Sequence, residues 1–174
     1  DTVGHEEVAT HKTPRAALVT SLDEQLAATL LACAEQARVP GHKVIVFLTT
    51  ARQTQLFAEA YNQTAAGRAR PGLEIHSRKS QPQRTRVSEE FRTTEQGILF
   101  SSDVSARGMD YPDVSFVIQV GVPSDKAQYV HRLGRTARAG KGGSGLLVLA
   151  DFETFFLGKL RDLPIQTQPP PPPA

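Results

Sequence analysis

The chain has no tryptophan and a single cysteine, Cys33. One thiol cannot close an internal disulfide, and its place in an Ala- and Leu-rich stretch reads as a small core residue, not a reactive one. Aromatic residues make up only 6% of the sequence, which argues against rows of ring platforms for stacking bases. No apolar run approaches the ~20 residues a membrane-spanning helix needs, so no membrane partner is expected. Charge of one sign is not in excess: 20 Lys and Arg against 18 Asp and Glu leave a net charge of +2, so the chain is no uniformly basic tail. It opens on Asp1 with no signal-like segment and reads as a piece of a longer protein. An intracellular address is the expectation, and a missing targeting signal says nothing about the parent's compartment.

What is present suits one globular domain. The 174 residues suffice for a core of their own, and 39% hydrophobic with 22% charged is ordinary for a soluble protein. Residues 1–14 are polar and aperiodic, a flexible lead-in. Residues 16–20 read as a strand. Leu22, Leu26, Leu30 and Ala34 recur at four-residue spacing, which predicts an amphipathic helix over 22–37, stopped by Pro40-Gly41. Strand and helix patterns then alternate. Strands are expected at 43–48, 73–76, 97–100, 114–120 and 145–150, and helices at 52–65, 81–93, 123–133 and 152–160. Solid apolar strands between helices predict an α/β fold with a mostly parallel sheet and helices on both faces. The domain is expected over 15–161. Residues 162–174, with Pro164 and Pro169 to Pro173, are expected to be a proline-rich disordered tail, a linker or a partner-binding segment.

Basic residues cluster at Arg68, Arg70, Arg78, Lys79, Arg84, Arg86 and Arg92, either a solvated face or one turned toward phosphates. A glycine-rich run, Gly140-Lys141-Gly142-Gly143-Ser144-Gly145, fits G-x-G-x-x-G by letter. It follows a helix and precedes a strand, the reverse of a dinucleotide-binding turn, and is read as a connection.

Two other clusters carry more chemistry. His131-Arg132-Leu133-Gly134-Arg135-Thr136-Ala137-Arg138 sets three arginines at intervals of three where a helix runs into a glycine-rich loop. Arginine forks match phosphate oxygens, so the spacing fits a polyphosphate site; it fits equally the preference of cations for helix C-termini. Ser101-Ser102-Asp103-Val104-Ser105-Ala106-Arg107-Gly108-Met109-Asp110 follows the apolar run Gly97-Ile98-Leu99-Phe100. Small polar residues at a strand's carboxyl end are how open α/β sheets build ligand sites, while Arg107 and Asp110 alone fit a local ion pair.

Taken together these segments resemble DEAD-box RNA helicases. Ser102 to Asp110 is similar to motif V and His131 to Arg138 to motif VI. Val44-Ile45-Val46-Phe47-Leu48-Thr49-Thr50-Ala51-Arg52 is similar to motif IV, and Gln81-Pro82-Gln83-Arg84 to the Q-x-x-R motif. All four stand in family order, across roughly residues 15–160. Ala137 and Ser102 depart from the commoner glycine and threonine of motifs VI and V; the arginines and the hydroxyl are kept. The wording around Phe47 to Arg52 and Tyr129 to Gly140 resembles the mitochondrial Mss116-like subgroup, whose domain continues into a helical extension, whereas prolines follow here.

The resemblance implies a three-layer RecA-like domain, the second of two, acting on RNA with ATP and Mg2+. No G-x-x-x-x-G-K-[ST] and no Asp-Glu-Ala-Asp occurs; in this family both belong to the first, N-terminal RecA-like domain, which would hold most of the Mg2+ coordination. This chain is then expected to be an inactive monomer alone. Arg135 and Arg138 would be the arginine fingers, and Asp110 and Arg107 would join them at ATP. His131 and Arg132 would touch the N-terminal domain or groups that support the site from behind. Thr50, Arg52, Gln81, Arg84 and Ser102 would grip the RNA backbone. Bland readings remain for Thr50 as a helix cap, Ser102 as a strand end, Asp110 as a turn cap and His131 as a packed histidine. Two alternatives stand beside this one: another superfamily 2 helicase acting on DNA, and a helicase-derived nucleic-acid or protein binding module without ATPase activity.

Overall fold

The computed structural model describes residues 13–102, 111–136 and 144–168. Chain order is β1 (Arg15–Val19), α1 (Leu22–Ala37), β2 (Lys43–Leu48), α2 (Ala51–Gln63), α3 (Ala65–Ala69), β3 (Leu73–Ile75), α4 (Gln81–Thr93), β4 (Gly97–Ser102), β5 (Phe116–Val120), α5 (Lys126–Leu133), β6 (Gly145–Ala150), a 3₁₀ helix (Asp151–Leu160) and β7 (Gln166–Gln168). The strands form one seven-stranded sheet in the order β3-β4-β2-β5-β6-β1-β7, and every neighbouring pair is parallel.

Strand residues alternate between two apolar layers, as a pleat demands. Val44, Val46 and Leu48 join Ile98, Phe100, Ile118 and Val148 on one face, covered by Ala28, Ala32 and Cys33 of α1 and Phe57, Ala58 and Tyr61 of α2. On the other face Ile45, Phe47, Leu99 and Val117 pack on Phe91 of α4. Beside them Ala16, Leu147 and Leu149 pack on Tyr129 of α5 and on Phe156 and Leu160 of the 3₁₀ helix. The result is the expected three-layer α/β sandwich. With both faces covered, β2, β4, β5 and β6 are buried at every residue. Among the described residues no helix is long and apolar enough to cross a membrane.

Several details differ from the sequence expectation. Helix α1 spans the expected residues, but its leucine stripe flanks the buried face, with Leu26 and Leu30 half-buried against the core. Its buried line is Gln25, Ala28, Thr29, Ala32 and Cys33, and Leu22 is 59% exposed. Small side chains let the helix lie close to the sheet, and Gln25 fits because its Nε2 donates to Val148 O at 3.0 Å and to Glu153 Oε1 at 2.8 Å. The helix expected over 52–65 breaks at Thr64, whose extended backbone caps α3. There α3 presses against α2: a Cβ on Gly67 would stand 2.0 Å from Tyr61 O. Helix α5 starts at Lys126 behind an Asp125 cap, not at Pro123, and the last helix is 3₁₀.

The domain also runs past 161. Leu163 and Ile165 pack on the core, and Gln166–Gln168 adds to the outer edge of β1 as β7. Its polar residues carry no strand signal; Gln166 N–H donating to Pro14 O and Arg15 Nη1 donating to Gln168 Oε1 help hold it. Residues 1–12 and 169–174 of the expected lead-in and tail lie outside the described residues.

Candidate nucleic-acid and nucleotide interface

Parallel strands all finish on one edge, and there the chain collects capped helix starts. Ser21, Thr50, Ser80 and Asp125 each accept a backbone N–H from the first turn of α1, α2, α4 and α5 respectively. At α4 the cap is reciprocal, with Gln83 Oε1 accepting from Ser80 N–H at 2.9 Å. Helix N-termini carry partial positive charge and favour anions.

Four of the five residues expected at RNA lie on this edge, and the fifth lies beneath it. The ends of β2 and β4 are neighbours, with Leu48 opposite Ser102, and β3 is next, with Ile75 opposite Ser101. Thr50 and Arg52 open α2, and Gln81 and Arg84 open α4. Thr50, Arg52 and Gln81 are on the surface, whereas Arg84 is half-buried. Thr50 Oγ1 accepts from Gln53 N–H at 3.1 Å, so the cap reading holds, and its own O–H proton stays available to a phosphate. The Nε of Arg84 is enclosed and has no hydrogen-bond partner among the described residues, a donor that an anion would satisfy. Ser102 differs: it is 3% exposed, part of the floor and not of the surface.

The loop leading to α4 is fixed from below. His76 Nδ1 accepts from Arg78 N–H at 3.3 Å, and Glu74 lies 3.0 Å from Lys79 Nζ and 3.6 Å from His76 Nε2. Burial holds His76 below the ordinary imidazole range, with Glu74 pulling upward and Lys79 and Arg78 downward.

The described part of motif VI, residues 131–136, lies on the opposite side of the sheet from α1. His131 is exposed. Arg132 is 3% exposed and lies inside its own domain. Its Nη1 donates to Gln119 Oε1 at 3.3 Å, Gln119 Nε2 donates to Tyr129 O at 3.3 Å, and the guanidinium lies 5.0 Å from the Phe47 ring centre. Of the two expectations for Arg132, the other domain or supporting groups, its contacts here are of the second kind: it fills a polar seam between the cores under α4 and α5. Arg135 is half-buried just beyond α5, its N–H bonded to Arg132 O. Arg107, Asp110 and Arg138 lie outside the described residues.

Three features escaped the sequence reading. Gln119 is the lone polar residue of β5 and is buried; an amide inside an apolar strand is the signal that could have revealed it. Ser88 of α4 lies 3.0 Å, oxygen to oxygen, from the Tyr111 hydroxyl, and only its helical phase with Phe91 hints at burial. Lys43 is buried with its Nζ donating to Arg92 O at 3.1 Å and 5.1 Å from the Phe91 ring centre; burial lowers its pKa against the pull of Asp113. Among the described residues no group of three or more His, Cys, Asp or Glu could hold a metal ion. The edge offers hydroxyls, an amide, backbone N–H groups and forked cations, which suit phosphates and sugars better than base edges.

Comparison with known proteins agrees. Residues 23–140 match the helicase conserved C-terminal domain. The chain is 55% identical over 131 residues to DEAD-box ATP-dependent RNA helicase 26 of Arabidopsis thaliana, covering 75% of this chain and 15% of that protein. It is 59% identical over 124 residues to helicase 26 of Oryza sativa subsp. japonica, covering 71% of this chain and 22% of that protein. It thus spans well under a third of these relatives. Among solved structures, domain 2 of the DEAD-box helicase Mss116p bound to an RNA duplex superposes with a TM-score of 0.78 at 31% identity, covering 92% of this chain and 66% of that one. The Escherichia coli DEAD-box protein SrmB bound to regulator of ribonuclease activity A gives 0.73 at 26% identity, covering 91% and 90%. With the parallel sheet, the edge of capped helices and the ordered motifs in place, the chain belongs to the helicase conserved C-terminal domain family, in the RecA-like form that DEAD-box RNA helicases carry as their second domain.

Proposed function

We propose that this domain is the second half of an ATP-dependent RNA helicase and completes two sites it does not own alone. The N-terminal RecA-like domain cradles ATP and the Mg2+ that accompanies it. This domain brings Arg135 and Arg138 to the transferring phosphate, Asp110 to the ribose and Arg107 to the junction of motifs V and VI. Phosphoryl transfer spreads negative charge over the phosphate oxygens, and an arginine supplied from a second domain is worth about 10³ to 10⁵ in rate. Hydrolysis therefore depends on closure. His131, exposed on α5, meets the first domain, while Arg132 shapes α5 from within.

RNA lies across the carboxyl edge. Thr50, Arg52, Gln81 and Arg84 hold phosphates and sugars over a floor that includes Ser102, so recognition is independent of sequence, and 2′-hydroxyl contacts separate RNA from DNA. ATP and RNA both favour the closed state, so each tightens the other. Closure bends the bound strand out of duplex geometry, and a short helix separates locally.

One observation carries this reading: four RNA-suited side chains converge on one sheet edge while Arg135 emerges beside the adjoining helix layer. The test uses the full-length protein that contains this domain. RNA should stimulate its ATPase, DNA of the same sequence should not, and Arg135→Ala should lower kcat by about 10³. Arg84→Ala should weaken RNA binding on all sequences and reduce the salt slope by about one. Turnover by the isolated chain, free of contaminants, would overturn the proposal.

A further inference from the structure

One buried contact outside the residues assigned above joins the RNA edge to the arginine end. Ser88 lies one helical turn beyond Arg84 on the same side of α4, and its Oγ is 3.0 Å from the Tyr111 hydroxyl. Both residues are buried. The Tyr111 ring is steadied by Phe91, edge to face, with centres 5.0 Å apart and planes at 80°. Helix α4 is a continuous rod from Gln81 to Thr93, so its RNA-facing start and Ser88 move together.

From Tyr111 the chain enters β5, and β5 is tied back to the end of α5. Val117 N–H donates to Ser144 O at 3.1 Å, and Ser144 N–H donates to Thr136 Oγ1 at 2.8 Å, one residue from Arg135. Leu133 and the Val117 carbonyl close so tightly around Gly145 that a Cβ there would stand 2.7 Å and 2.9 Å from them. Burial raises the Tyr111 phenol, and the Arg92 and Arg135 guanidiniums act against it, which sets Arg135 in the electrostatic reach of that hydroxyl. An apolar contact would let α4 slide over Tyr111. A hydroxyl pair in a dry core is directional, so a tilt of α4 either carries Tyr111 with it or breaks the bond.

We propose that the Ser88–Tyr111 contact is a positioning contact that transmits RNA engagement at the start of α4 to the placement of Arg135 at the nucleotide. The inference rests on the function proposed above.

The experiment measures binding of a labelled single-stranded RNA to the full-length protein, with and without a non-hydrolysable ATP analogue. In Tyr111→Phe the affinity without nucleotide should stay within about twofold, and the tightening produced by the analogue should shrink about fivefold, the reach of one hydrogen bond. Ser88→Ala should shrink it too, and the double variant should lose less than the sum of the two, because the single variants share this bond. Ser88→Thr, which keeps a hydroxyl, should retain most of the tightening and carries the test if Tyr111→Phe folds poorly. Unchanged tightening in Tyr111→Phe and Ser88→Ala, or additive losses in the double variant, would overturn the inference. A wild-type protein that binds no RNA would overturn the proposed function instead.

Discussion

Replacing Arg132 with alanine asks whether this guanidinium holds its own domain together or waits for a neighbour. In the structure it is 3% exposed, 3.3 Å from Gln119 Oε1 and 5.0 Å from the Phe47 ring centre. A charge-assisted hydrogen bond contributes about 1.5–3 kcal/mol, and the desolvated ring contact about 2 kcal/mol more. The lost side-chain stem adds a packing loss, and removing a buried charge returns part of its desolvation. The net expectation is about 3 kcal/mol. For a chain of this size that lowers Tm by roughly 6–12 °C. The assay is thermal and urea unfolding of the 174-residue chain by circular dichroism, with the native spectrum as control. Arg132→Lys should fall between the two, since an ammonium keeps the charge without the planar fork. A variant as stable as the parent chain would refute the reasoning and return Arg132 to the interdomain surface.

Further outcomes follow from the fold. A chain ending at Arg161 loses β7 and the cover of Leu163 and Ile165, and should melt about 10 °C or more lower; an unchanged melting curve would show the segment is dispensable. Cys33 is fully buried and burial pushes its thiol up, so an aromatic disulfide reagent should react with the native chain orders of magnitude more slowly than with the chain in urea. Burial holds His76 below the ordinary imidazole value of 6.5, so the unfolded chain takes up a proton that the folded one refuses. Stability should be intact above that value and fall as pH drops through it, and His76→Gln should flatten this part of the urea-midpoint profile. Gly67→Ala must push α3 off the Tyr61 carbonyl and should lower stability by about 2 kcal/mol or more, read from the same midpoint.

Where local pattern and tertiary need agreed, the elements were legible from the residues alone. Lys43–Leu48 and Gly145–Ala150 are continuous apolar runs with room on both sides, and Gln81–Thr93 starts on a Ser80 capping box. Helix α1 was found, but its leucine stripe marks the flank of the buried face and not its centre: Leu26 and Leu30 pack at the margin of the core, while the close approach to the sheet falls to Ala28, Ala32 and Cys33. Strand β7 was invisible because Gln-Thr-Gln is neither apolar nor alternating, and its pairing comes wholly from β1. At the interface, the arginine and hydroxyl positions could be read from motif order. What could not was burial: Arg132 and Ser102 look like surface groups in a motif, and only the packing of Phe47 and Gln119 and the pairing of β4 with β2 draw them inward.

The place of β1 between β6 and β7 has a consequence for biosynthesis. Strand β1, residues 15–19, precedes its strand partners at residues 145–150 and 166–168 by more than a hundred residues. At about 5–20 residues per second, the backbone groups of β1 leave the ribosome on the order of ten seconds before either strand partner, and only the Ala17 and Val19 face can meet α1 at once. Such long-range closure is slow and leaves the edges of β1 open to wrong pairing meanwhile.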